Sequence, residues 1–245
     1  TQAPPSALPA TAVPQQPSPT KIVPTTIAPP PEHHIAIRVV NGIGEFYNRE
    51  TGQKFVPRGM NYIRLGQQTK MDGSSTFGHS LFDPGKYNSL RVSGELTKMH
   101  NDGYNVVRVF LSPDTMGSTS GGFSEQYIKN LVEFLKFAET NKMYVMFTLD
   151  WILGGKWGEI LNADCCDTFA LMNANFLPPA GLKANKVFFQ DFASELIKQG
   201  APTEYIWSYQ LRNEMFYDMD QPPLSFTSGN VTTANGKIYD MSSAD

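Results

Sequence analysis

The sequence predicts an α/β fold built on a parallel sheet, and three observations point to it. Short β-branched and aromatic runs recur that are apolar throughout, as strands covered on both faces are. Helical stretches with a single apolar face separate them. The connections after the strands are long, on the side where such folds assemble their sites. With 245 residues, 40% apolar and 12% aromatic, the chain has enough material for a packed core.

Residues 1–34 are different in kind. They hold ten of the 18 prolines, with Lys21 and Glu32 as their clear charges. Such a stretch buries too little apolar surface to fold and is predicted as a disordered, partly polyproline II linker. The folded part is assigned to residues 35–245. Glu45–Tyr47 and Lys54–Val56 flank a polar turn and read as a hairpin. Gly59–Ile63 follows as a first buried strand, then a Gly/Ser-rich loop from Gln67 to Ser80. A helix is predicted from Tyr87 to Asn101, ended by Asp102-Gly103. Asn105–Leu111 is an apolar strand interrupted by Arg108. Ser124 caps a helix running to Asn141, with Tyr127, Leu131, Leu135 and Ala138 on one face. Tyr144–Leu149 is a third strand, and a long loop carrying Trp151, Trp157, Cys165 and Cys166 follows it. A helix over Asn185–Gln199 stops at Gly200, and the run from Ile206 to Glu214 is the fourth strand.

Four such strands make half of an eight-stranded (β/α)8 barrel. A doubly wound sheet is the rival, but no Gly-rich phosphate loop follows the first strand. Met215–Asp245 contains no further βα unit, and a full barrel takes about 250 residues. The expectation is therefore an incomplete barrel, its first four strands with their helices, with open edges at the first and last strand.

A formal charge of −3 gives no reason to expect nucleic acid or an anionic membrane as partner. No apolar run approaches the roughly 20 residues that span a bilayer. Cys165 and Cys166 are adjacent and cannot bridge distant segments. His33, His34, His79 and His100 share no ligand spacing, so neither a metal nor a cofactor is expected. Pro/Thr-rich linkers commonly accompany secreted enzyme domains, which suggests an extracellular or cell-surface location.

The fourth strand ends on Asn213-Glu214. A carboxyl presented at the carboxyl edge of a parallel sheet, beside an amide, suits a proton donor to a leaving group. Arg108, buried on a strand, must be paired. Asp150 either hydrogen-bonds a substrate or caps the loop after the third strand. Trp151, Trp157 and Tyr62 are candidates for stacking on a substrate, whereas Trp207, inside a strand, reads as core.

Phe55-Val56-Pro57-Arg58-Gly59-Met60-Asn61-Tyr62, Gly103-Tyr104-Asn105-Val106-Val107-Arg108 and Leu211-Arg212-Asn213-Glu214 resemble, in that order, the first, second and fourth strands of clan A glycoside hydrolases, particularly family 5. The resemblance covers roughly Ile35 to Glu214. It implies a (β/α)8 barrel and retaining hydrolysis of a β-linked glycan, with a poly- or oligosaccharide as substrate. For such a glycan, Trp151, Trp157 and Tyr62 would stack on the faces of its pyranose rings. Glu214 would be the acid/base, Asn213 would hold the 2-hydroxyl, and Arg108 would orient the nucleophile. That nucleophile, a Glu on the seventh strand, has no matching position in these 245 residues, so the chain alone would be inactive. Many members carry a His just past the third strand where Thr148-Leu149-Asp150-Trp151 places Asp150. A non-catalytic carbohydrate-binding barrel is the rival reading.

Overall fold

The computed structural model describes residues 33–70, 72–164 and 167–242. The linker assigned to residues 1–34, apart from His33 and His34, and the Cys165-Cys166 pair lie outside the described residues.

The elements run as a hairpin of β1 (Ile35–Val40) and β2 (Ile43–Asn48), then β3 (Gly59–Tyr62) and a second hairpin of β4 (Leu65–Thr69) and β5 (Ser75–His79). There follow α1 (Ser89–Asn101), β6 (Val106–Phe110), α2 (Glu125–Thr140) and β7 (Tyr144–Thr148). Two short helices, α3 (Lys156–Leu161) and α4 (Leu171–Phe176), precede α5 (Pro179–Lys198), β8 (Ile206–Gln210), and a small hairpin of β9 (Asn230–Thr232) and β10 (Ile238–Asp240).

The central sheet has the order β3-β6-β7-β8, parallel throughout. Alternation along the strands decides which side each residue faces. Val107, Val109, Val145 and Phe147 are buried in one cluster with Leu96 of α1, Leu131, Phe134 and Leu135 of α2, and Phe188, Phe192 and Leu196 of α5. All three long helices thus cover the same face. That is a singly wound sheet and not the doubly wound alternative. Among the described residues the sheet stays open, with β3 and β8 at its edges, and no closed barrel forms.

Local chemistry explains the boundaries. The Asn88 side chain accepts from the Arg91 N–H at 2.9 Å to start α1, and Ser124 does the same for α2. Pro179 occupies the first position of α5, where its missing N–H costs nothing. Gly103 and Gly200, at φ +88° and +70°, end α1 and α5 in the left-handed conformation. The Asn105 side chain accepts from Arg58 N at 2.7 Å and donates to Val56 O at 3.0 Å, pinning the entry of β3 beside β6.

The amino end of the helix-free face is closed by aromatics. Trp207 meets Phe46 of β2 at 4.9 Å and Phe55 at 5.4 Å between ring centroids, and Phe55 meets Tyr144 at 5.4 Å. The strand register slips between Val145 and Met146, which makes room for Trp207 as an extra residue. A His33 ring nitrogen lies 3.1 Å from Ile206 O, and His34 packs edge-on against Tyr205. Both histidines, placed in the linker by composition, contact the folded part.

Several expectations need correction. The first hairpin is β1 with β2, turning at Asn41-Gly42, and Lys54 adds only an isolated bridge to Tyr47. The Gln67–Ser80 loop is the β4–β5 hairpin, whose polar composition hid it. Helix α5 starts six residues before Asn185, because Ala180 and Ala184 are small contacts that an apolar count overlooks. The fourth strand ends at Gln210, short of Glu214. None of the described helices is long and apolar enough to cross a membrane.

Two glycines test the packing with opposite signs. A Cβ on Gly181 would lie 2.2 Å from Ala174 O and 2.6 Å from the Asn175 carbonyl, where α5 crosses α4. One on Gly94 of α1 would meet nothing within 4 Å. Urea unfolding should show Gly181→Ala destabilised by about 1–3 kcal/mol and Gly94→Ala stabilised by roughly 0.5–1 kcal/mol.

Candidate functional site

The helix-free face carries the polar residues of the strands. In register, Asn61 of β3 stands beside Arg108 of β6, Arg108 beside Met146 of β7, and Thr148 beside Gln210 of β8. Arg108 unites them. Its Nε and Nη2 donate to Gln210 Oε1 at 3.0 and 2.7 Å, Nη2 also to Asn213 Oδ1 at 2.8 Å, and Nη1 to Asn61 Oδ1 at 3.3 Å. Thr148 Oγ1 donates to the same Gln210 oxygen at 3.1 Å. All of Arg108's acceptors are neutral amide oxygens, and it forms no ion pair among the described residues.

Asn213 is held from two sides, because its backbone N–H also donates to Leu149 O at 2.8 Å. This carries the chain after β8 back across the end of β7. Glu214 follows at once, four residues past the end of β8, exposed and with φ +47°. A non-glycine residue in that region is uncommon and persists where surrounding contacts hold it. Asp150 is half-buried just past β7, and Trp151 beside it is 47% exposed. Of the sequence-predicted residues, Arg108 and Asn213 are joined directly, and Glu214, Asp150 and Trp151 lie on the loops at the same sheet edge.

Two stacking candidates are corrected. Tyr62 ends β3 one residue after Asn61, so the strand period sends it to the helix side. There it donates to Glu95 of α1 and stacks on Phe134 of α2. Burial, reinforced by Glu95, pushes its hydroxyl pKa far up. Trp157 is 1% exposed because α3 folds back on α5. Its indole lies against Phe123 and Phe188 and donates to Asp191 Oδ2 at 2.9 Å. Neither faces the carboxyl edge of the sheet's open face.

Sequence reasoning missed Gln210, Thr148 and His79, and left Asn61 without a role. The signal for the strand residues was the period of two: counting from Arg108 within each strand separates them from the apolar helix side. His79 carries no such signal, since the polar composition of its hairpin reads as a loop. Its ring stacks on Phe110 at 4.2 Å and 14°, and the Arg108 guanidinium lies 4.4 Å from that same Phe110 ring. Burial holds the His79 pKa below its ordinary value, with Asp150 pulling it up and Arg108 pushing it down.

No protein-family profile matches the chain, and no curated protein does. Among solved structures it is similar to the exo-β-1,4-mannosidase Op5Man5 from Opitutaceae bacterium strain TAV5, with 19% identity over 67% of this chain and 26% of that one, at a TM-score of 0.44. It is also similar to a glycoside hydrolase family 5 mannosidase from Rhizomucor miehei, with 19% identity over 69% of this chain and 46% of that one, at a TM-score of 0.45. The chain therefore spans less than half the length of either.

Lysine at position 108 would keep the charge but present one point donor in place of a planar fork. Arg108→Lys should cost about 1–3 kcal/mol in urea unfolding, with Gln210 and Asn213 no longer held together. An unfolding midpoint equal to that of the parent would show the cluster to be incidental.

Proposed function

We propose that this chain is the amino-terminal part of a (β/α)8-barrel glycoside hydrolase that cleaves a β-linked glycan with retention, and that Glu214 is its acid/base. The observation that supports it is the bonded cluster of Arg108, Gln210 and Asn213 immediately before Glu214, at the carboxyl edge of a singly wound parallel sheet. Barrel enzymes assemble their chemistry at that edge.

Glu214 would first protonate the departing glycosidic oxygen and then, as a carboxylate, take a proton from the water that attacks the glycosyl-enzyme. The nucleophile would come from a later strand outside this sequence. Arg108 suits its neighbourhood: a carboxylate brought beside a guanidinium that has only neutral partners is favoured in its ionised form. Asn213 would hold the hydroxyl next to the reacting carbon. Trp151, exposed beside Asp150, would lie under a pyranose ring. Residues 1–34 would act as a linker to residues 35–245, with the protein outside the cell or on its surface; the Pro/Thr-rich composition supports both.

The test uses the full natural protein that contains this chain. Glu214→Gln should lower kcat on unactivated β-1,4-linked oligosaccharides by about 10²–10⁴, the range of general acid–base catalysis, and leave binding in place. Undiminished turnover would remove Glu214 from the mechanism. Binding without turnover in the parent protein, with no later strand ending in Glu, would instead identify a non-catalytic carbohydrate-binding barrel.

A further inference from the structure

The β4–β5 hairpin is fastened to the sheet edge by one buried side chain. Gln68 is 2% exposed, and its Nε2 lies 2.9 Å from His79 O, 3.0 Å from Asp83 Oδ1 and 2.9 Å from Ser112 Oγ. Thr115 Oγ1 donates to the same Asp83 oxygen at 2.6 Å. Room for Gln68 exists because position 78 is glycine: a Cβ there would sit 2.5 Å from Gln68 Oε1. These contacts deliver His79, the last residue of β5, onto Phe110 at the carboxyl end of β6, where the rings stack at 4.2 Å.

The His79 ring has one satisfied face and one unsatisfied atom. Its Nδ1 is buried without a hydrogen-bond partner. A buried lone pair without a partner costs less than a buried N–H without an acceptor, because an unmet donor is the rarer and costlier case. The neutral ring therefore carries its proton on Nε2. Across the strand ends, Phe110 pairs with Thr148, and Asp150, two residues past Thr148 in the loop after β7, is near enough to His79 to act on its ring electrostatically. An imidazole N–H donor at the end of β5 and a carboxylate acceptor in the loop after β7 thus stand at one edge and are not hydrogen-bonded to each other.

A sugar hydroxyl is both donor and acceptor, and such a pair matches it. We propose that His79 and Asp150 together bind one hydroxyl of the glycan ring, His79 donating from Nε2 and Asp150 accepting, with Phe110 fixing the plane of the imidazole. The inference rests on the glycan-hydrolase reading above and adds a substrate-binding residue to it. Burial holds the His79 pKa below its ordinary value, and the charged groups facing the ring are Asp150, which raises it, and Arg108, which lowers it.

Kinetics of the full natural protein on mannopentaose, cellopentaose and xylopentaose tests it. On whichever is hydrolysed, His79→Ala should raise KM about tenfold, the worth of one hydrogen bond, with kcat changed less than about twofold. His79→Gln, which keeps a side-chain donor, should recover most of the loss. Asp150→Asn should raise KM similarly, and the effect of the double variant should depart from the sum of the two single ones, since both groups act on one hydroxyl. If His79→Ala does not fold, His79→Gln and Asp150→Asn carry the test through their KM values. Turnover with KM unchanged in these variants overturns the His79–Asp150 pair alone. A parent protein that neither binds nor hydrolyses any of the three overturns the underlying reading, and this inference with it.

Discussion

A guanidinium on an inner strand must have its donors met, and in this chain that requirement organises the whole carboxyl edge of the sheet. Arg108 reaches Asn61 on β3, Gln210 on β8 and Asn213 beyond it. Left without partners, a cation in that position would cost more than the hydrogen bonds it now makes contribute. The three amides are thus held at fixed places relative to one another. The residue that follows, Glu214, inherits its location from Asn213, whose side chain is bound to Arg108 and whose backbone is bound to Leu149.

The rest of the fold serves that edge by keeping the sheet stiff beneath it. On one side Val107, Val109, Val145 and Phe147 pack against three helices, an apolar layer that tolerates no polar residue without a partner. On the other, aromatic residues from the first hairpin and from β8 seal the amino end. What remains open is the carboxyl half of the helix-free face, with Arg108, Thr148 and Gln210. The charge, the amides and the stacked His79–Phe110 pair lie together there, on a part of the central sheet's helix-free face that the aromatic packing at the amino end leaves uncovered.

Much of this was legible in the chain itself, and for a definite reason. Burial on both faces makes strands such as Val106–Phe110 continuous apolar runs, so one arginine inside such a run stands out. Capping is local, so Asn88, Ser124, Gly103 and Gly200 mark their helix ends through contacts within a few residues. The β4–β5 hairpin escaped because most of its side chains face solvent and carry no apolar alternation; Gln68, the residue that anchors it, makes its contacts with Asp83 and Ser112, which lie 15 and 44 residues away. Tyr62 and Trp157 misled for the opposite reason: an aromatic residue looks the same in sequence whether it lies on the open face or in the core.

What the sequence determined by itself was therefore whatever depends on short range: the strand runs, the helix caps, the order of the βα units and the Asn213-Glu214 pair that closes them. What only the tertiary structure decided was which side each side chain takes and which distant residue meets it. That sent Tyr62 to Glu95 and Trp157 to Asp191, and it brought His79 onto Phe110. The physical reason is that propensity and capping act through neighbours in the chain, whereas sidedness follows from where a register begins, and contact follows from how separate elements pack.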